Sequence, residues 1–164
     1  MAGKINIILA GKRRLFLEGL KEKIETDKLI KVKIIVNSGK ELVEQVRKMF
    51  PDVVIIDQLL FSDIVYSVYM DILKKFNPWV KMILLTDRNS LIHLKLYLKF
   101  GFRSVVLLEN DFDDLISSIR QTEEGDYFFC QEVMKILIED YIHPRIIKDK
   151  NYNQHIHLMQ NKIT

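Results

Sequence analysis

One cysteine in 164 residues leaves nothing for it to pair with, which excludes both a disulfide framework and a cysteine-rich metal site. Six glycines are present, none in a GxGxxG or Walker arrangement, so no glycine-rich phosphate loop is encoded. No apolar run approaches the ~20 residues that cross a bilayer, and the apolar part of the opening MAGKINIILAGKRR is too short for a signal peptide. It reads as a strand instead, and a cytoplasmic chain with no membrane partner is the expectation. A large excess of one charge is also lacking. The formal charge is +3, with 25 Lys and Arg against 22 Asp and Glu. Residues 1–142 hold 21 of each sign, while the tail 143–164 holds 4 basic residues and 1 acidic one. A neutral body is no nucleic-acid surface, so the basic pI belongs to the tail. What remains is 48% hydrophobic and 29% charged, the composition of one globular domain.

Short apolar runs alternate with stretches of helical period. The runs Ile5–Ala10, Ile30–Val36, Val53–Asp57, Val80–Thr86 and Ser104–Leu108 have strand length and are rich in Ile, Val and Leu. In the second, Lys31 and Lys33 alternate with Val32, Ile34 and Val36, as suits an edge strand with one wet side. Between them lie helical stripes: Leu15, Phe16, Leu20 and Ile24; Leu42, Val43, Val46 and Phe50; Ile64, Val65, Val68, Ile72 and Phe76. Pro51 and Pro78 end the second and third helices. A fourth is expected over Leu91–Phe100 and a fifth behind Asp111, where Asp113 and Asp114 favour the positive N-terminal end. The alternation predicts an α/β, flavodoxin-like, doubly wound sheet of five parallel strands in the order 2-1-3-4-5. A sixth amphipathic helix, with Cys130, Val133, Met134, Leu137, Ile138 and Tyr141 in phase, ends before Pro144. The expected organisation is a domain over 1–126, the extra C-terminal helix within 127–142 and a linker or tail over 143–164.

In such a sheet the binding crevice lies outside the carboxyl ends of the strands, between strands one and three. Gly11 and Lys12, Asp57, Thr86, and Leu108 with Glu109 fall there. A carboxylate closing an apolar strand is costly to desolvate without a partner, which makes Asp57 either a functional group or a strand-terminating cap. His155 and His157 in the tail read as solvated side chains, and Cys130 as a small core residue.

These segments resemble the receiver domains of two-component response regulators, in the branch that carries a LuxR-type helix-turn-helix. LAGKRRLFLEGL is similar to the segment that follows the first strand, FPDVVIID to the phosphoacceptor strand, MILLTD to the switch-hydroxyl strand, and EGDYFFCQEV to the stretch after the last receiver helix. The resemblance covers roughly residues 4–140. It implies that Asp57 is the phosphoacceptor position and Thr86 the switch hydroxyl. It also exposes departures. The acidic pair that holds Mg²⁺ falls on Gly11 and Lys12, or on Ala10 and Gly11 with the alignment shifted by one. The lysine of the fifth strand falls on Leu108, the proline after the acceptor on Phe61, and the aromatic switch residue on Val105.

Phosphoryl transfer is mostly positioning and charge neutralisation, so these losses predict an atypical, pseudo-receiver domain working without Mg²⁺-dependent phosphorylation. No metal, cofactor or catalytic residue is expected, and the position of a second aspartate in an aspartate phosphatase is Leu59. Lys12 either pairs with Asp57 in place of the metal or points to solvent. The alternative is a receiver phosphorylated on Asp57 by a non-standard route. The fourth helix is apolar over more than one stripe, so Leu94, Tyr97 and Leu98 are either a dimer face or ground covered by the sixth helix or the tail. The expected partners are a second copy of the chain and a histidine kinase or other signalling protein. DNA is expected only through a domain beyond these residues, in a bacterial transcription regulator of which this would be the amino-terminal part.

Overall fold

In the computed structural model, residues 3–60 and 63–144 are described, without the side chains of 63–66. The elements run β1 (Ile5–Ala10), α1 (Arg14–Ile24), β2 (Ile30–Val36), α2 (Gly39–Met49), β3 (Val53–Asp57), α3 (Asp63–Phe76) and β4 (Lys81–Thr86). They continue through α4 (Leu94–Lys99), β5 (Phe102–Leu107), α5 (Phe112–Glu123), β6 (Phe128–Phe129) and α6 (Gln131–Ile142). A short 3-10 turn, Gln58–Leu60, follows β3, and a 3-10 segment, Arg88–His93, precedes α4.

All strand pairs are parallel and the order is β2-β1-β3-β4-β5-β6. The period-two alternation of side chains divides each central strand between two cores. Ile7 and Leu9 of β1 face Leu17, Ile24, Leu115 and Ile119 of α1 and α5. Ile8 and Ala10 face the opposite core with Leu42, Val46, Met70 and Leu73 of α2 and α3. Right-handed crossovers place helices on both faces in this way, and the central strands are apolar throughout because neither face meets water. β2 is the edge strand that its alternation predicts, with Lys31 and Lys33 exposed.

The structure corrects the expected elements in three places. The sheet has six strands rather than five: Phe128 and Phe129 add to β5, and the Phe128 N–H donates to the Ser104 hydroxyl at 3.1 Å. Two residues carry no periodicity to read. The fourth helical stretch begins as the 3-10 segment and becomes α-helical only from Leu94. β5 runs two residues earlier than expected and stops at Leu107, although the Leu108 N–H still reaches the Thr86 carbonyl at 2.9 Å. Gly101, at φ +97°, turns the chain out of α4 into β5. A side chain there would meet Lys74 Cε at 2.7 Å.

α6 lies on the α2–α4 side of the sheet. Val133 is fully buried in the same core as Leu91, Leu94 and Tyr97, with Ile136 and Leu137 packed against it. Arg88 holds Glu132 through Nε at 2.7 Å and Nη2 at 2.9 Å, and Lys95 pairs with Asp140 at 3.7 Å. Leu94 and Tyr97 are therefore buried and Leu98 half-buried. The expected dimer face over these three residues is therefore not a free surface.

Candidate functional site

The carboxyl ends of β1, β3 and β4 bring Gly11, Asp57 and Thr86 together. Asp57 and Thr86 are both completely buried. Asp57 receives two hydrogen bonds: Arg13 Nε donates to Oδ2 at 2.8 Å, and the Leu59 N–H donates to Oδ1 at 3.3 Å. The first is an ion pair between a buried carboxylate and a guanidinium whose side chain is 38% exposed. The pair is set by the turn out of β1. Arg13 is the residue before α1, with φ −86° and ψ 76°, and its guanidinium stacks over the Phe16 ring at 4.8 Å. Its Nη2 is buried with no hydrogen-bond partner among the described residues.

The sequence leaves Lys12 two readings, paired with Asp57 or turned to solvent, and the second is the one found. Lys12 is exposed and makes no ion pair among the described residues, whereas Arg13, one residue on, turns inward. Three consecutive cations leave the phase of the turn open, and only the first turn of α1 decides which of them faces the sheet.

Gly11 lies against the same carboxylate. A Cβ at this position would sit 2.9 Å from Asp57 Cβ and 2.9 Å from Leu17 Cδ1. Real Cβ atoms do not approach so closely, so the β1–α1 turn presses on Asp57 as only glycine allows. At the other candidate positions, Leu108 packs as a half-buried apolar side chain beside the α1–α5 core, and Val105 is fully buried. Phe61 lies outside the described residues, as do His155 and His157.

Among the described residues, Thr86 makes no hydrogen bond to Asp57. Its hydroxyl donates to Gln58 Oε1 at 2.5 Å, and Gln58 Nε2 donates to Asp87 Oδ2 at 2.6 Å. Asp87 in turn accepts from the Ser90 N–H at 2.9 Å and so caps the 3-10 segment. Burial works to raise the Asp87 pKa. The hydrogen bonds from Ser90, Gln58 and the Asn89 backbone outweigh it and hold the carboxyl below its ordinary value. Gln58, which the sequence reading did not single out, thus ties the switch-hydroxyl position to the start of the α4 region. Its one signal was adjacency to Asp57.

The site therefore holds one carboxylate closed by a guanidinium, and beside it a hydroxyl–amide–carboxylate chain. Among the described residues, no group of three or more His, Cys, Asp or Glu could hold a metal ion.

No family model matches the sequence. Over 138 residues the chain is 27% identical to the transcriptional regulatory protein DegU of Brevibacillus brevis, which covers 84% of this chain and 58% of that protein. The chain thus spans little more than half of that relative's length. Its fold is similar to that of the RcsB response regulator of Salmonella enterica serovar Typhimurium bound to promoter P1flhDC in the presence of the phosphomimetic BeF3⁻. The TM-score is 0.73 at 20% identity, over 85% of this chain and 69% of that one. RcsB has also been solved as two dimers bound to two parallel DNAs. A LuxR-family two-component response regulator from Aurantimonas sp. SI85-9A1 has TM-score 0.77 at 15% identity, over 86% of this chain and all of that one.

Proposed function

We propose that this chain, a response-regulator receiver domain of the LuxR-type branch, is the signalling module of a bacterial transcription regulator that keeps its acceptor site closed with an Arg13–Asp57 ion pair. The observation that carries the proposal is the 2.8 Å contact between Arg13 Nε and the fully buried Asp57 carboxylate. A buried carboxylate without a partner costs several kcal/mol, and in this fold the partner is the chain's own guanidinium.

Mg²⁺ takes a near-octahedral set of oxygens, with one or two carboxylates from the protein. The residues present do not fit it. One Asp57 oxygen is engaged by Arg13 and the other by the Leu59 N–H. A carboxylate placed at Gly11 would have to displace Asp57 or Leu17. The module therefore signals by changes in the Arg13–Asp57 pair and in what binds the chain. It acts as a protein-interaction domain in the cytoplasm rather than as an enzyme, and its partners are a second copy of itself and a histidine kinase or other signalling protein. Residues 1–126 are the receiver, 127–142 the additional helix region and 143–164 the linker toward a DNA-binding domain, through which DNA is contacted.

A second reading is favoured by one observation, the buried and unpartnered Nη2 of Arg13 beside Asp57. That donor would suit an oxyanion, and a phosphoryl group accepted on Asp57 by a non-standard route would supply one. Intact-mass spectrometry after incubation with a small phosphodonor, an acyl phosphate or a phosphoramidate, with and without Mg²⁺, separates the two. The closed-site reading expects no adduct under either condition. A stoichiometric adduct lost on Asp57→Asn would replace it with the second reading.

A further inference from the structure

At the end of the sheet away from Asp57, the amino ends of β4 and β5 meet α3, the α4–β5 turn and β6 around a cavity of about 600 Å³. That size falls within the ~300–1,000 Å³ of small-molecule sites. Its floor is apolar, because Val80, Met82 and Phe102 are buried. One wall is aromatic. The Tyr127 and Phe129 rings stack with centroids 6.0 Å apart and planes 29° from parallel, and Tyr127 is 61% exposed.

The charge around this cavity is of one sign. Lys74 and Arg103 line it, and no acidic side chain among the described residues does. The head of Lys74 lies over the α4–β5 turn, where a Cβ on Gly101 would meet its Cε at 2.7 Å and its Nζ at 2.9 Å, so the glycine is what admits the ammonium. Lys74 is half-buried there and makes no ion pair or hydrogen bond with another described residue. Arg103 is oriented from two sides: Nη1 donates to the Gly125 carbonyl at 2.7 Å, and the guanidinium lies over the Tyr127 ring, 5.5 Å from its centroid. It too has no carboxylate partner among the described residues.

We propose that this cavity binds a small amphipathic anion, an aromatic carboxylate, with its ring against Tyr127 and Phe129 and its carboxylate toward Lys74 and Arg103. Each part of the site selects one property of that ligand. The concave apolar floor selects a small molecule, and the stacked pair offers a face to a flat ring. Two cations with no acid beside them select a negative charge, which pairs with their N–H donors in charge-assisted hydrogen bonds. An inorganic oxyanion would leave the floor and the rings bare. A neutral ring would leave the Lys74 ammonium partly desolvated with no partner.

The site is independent of the Arg13–Asp57 pair. Titration of the isotope-labelled 164-residue chain at neutral pH with phenylacetate, followed by amide chemical shifts, tests it. Phenylacetamide is the neutral probe of the same shape, and Lys74→Met, which keeps an apolar stem and removes the charge, and Tyr127→Ala are the variants. The amide spectrum itself reports whether each variant keeps the fold. Phenylacetate is expected to give saturable shifts at Gly101, Arg103 and Phe129 with a dissociation constant of about 0.1–1 mM, and phenylacetamide to bind about tenfold or more weakly. Lys74→Met should weaken phenylacetate about tenfold and leave phenylacetamide unchanged, while Tyr127→Ala weakens both. Shifts that do not saturate, or that fall away from these residues, would overturn the site. Equal affinity for the two probes would overturn the selection of an anion, and this comparison needs only the wild-type chain. A folded Lys74→Met protein that binds phenylacetate as the wild type does would remove the lysine from the site, and a Tyr127→Ala protein that does so would overturn the placing of the ring.

Discussion

Arg13 and Asp57, 44 residues apart in sequence, are joined by a 2.8 Å hydrogen bond in which a half-exposed guanidinium closes over a wholly buried carboxylate. Removing one partner of such a pair costs more than removing both, because the penalty is that of the stranded charge. Arg13→Ala is expected to destabilise the chain by about 1–3 kcal/mol, toward the low end because Arg13 is partly solvated. Arg13→Ala with Asp57→Asn should recover most of that loss. Lys12→Ala should stay within about 0.5 kcal/mol of wild type. Urea unfolding of the four proteins decides the matter, and a Lys12→Ala loss equal to that of Arg13→Ala would return the lysine to the site.

Gly11 sets a steric condition that is independent of charge. Gly11→Ala should cost about 1–3 kcal/mol, because its methyl would lie 2.9 Å from both Asp57 Cβ and Leu17 Cδ1. Gly11→Asp should cost at least as much and should leave the melting temperature insensitive to added Mg²⁺. A Gly11→Ala protein as stable as wild type would show that the β1–α1 turn does not press on Asp57.

Asp87 gives a pH dependence whose sign follows from its lowered pKa. A depressed folded-state value means that the unfolded chain takes up the proton first. The contribution is thus complete above the ordinary Asp value of about 4 and is lost as pH falls through the lower folded value. Asp87→Asn should flatten stability over that acid window and cost about 1 kcal/mol at neutral pH, because the amide oxygen can keep the cap on Ser90 but its NH2 replaces the oxygen that accepts from Gln58 Nε2. Chemical denaturation at a series of pH values from neutral downward reads both effects.

α6 is held by two kinds of contact of unequal weight. The Arg88–Glu132 pair is bidentate but largely solvated, with side chains 64% and 36% exposed, so Arg88→Ala should cost no more than about 1 kcal/mol. Val133 is fully buried, and Val133→Ala should cost about 1–3 kcal/mol. Hydrogen exchange in α6 should quicken far more in Val133→Ala than in Arg88→Ala. The reverse order would mean that the ion pair seats the helix.

The strand boundaries of β1, β2 and β3 were legible because a strand buried on both faces leaves a continuous apolar run, and an edge strand leaves an alternation. The order of those strands was legible as the usual small doubly wound arrangement, with the alternation in β2 marking the edge, and that order brings the ends of β3 and β4, with Asp57 and Thr86, side by side. β6 was not legible, since Phe128 and Phe129 are recruited by the Ser104 hydroxyl and the β5 edge rather than by any pattern of their own. The 3-10 start of the α4 region was read as α-helix because periods of 3.0 and 3.6 cannot be separated over six residues. At the site, the sequence marked a cation replacing the acidic pair but not which of Lys12, Arg13 and Arg14 it would be. The wide apolar surface of α4 was visible too, and its Leu94 and Tyr97 are buried in the same core as Val133 of α6.

The 3-10 segment Arg88–His93 is six residues long, beyond the three or four at which such helices usually stop. At about 2.0 Å per residue it spans roughly 12 Å, and the same residues wound as α-helix would span roughly 9 Å. Asp87 fixes one end of it beside Gln58, while Arg88 grips Glu132 and Lys95, just beyond the other end, grips Asp140. α6 is thereby strapped across a length that differs by about 3 Å between the two windings. Rewinding the segment would draw Arg88 and Lys95 closer by that length, and exchange protection in Arg88–His93 and in α6 is expected to change together.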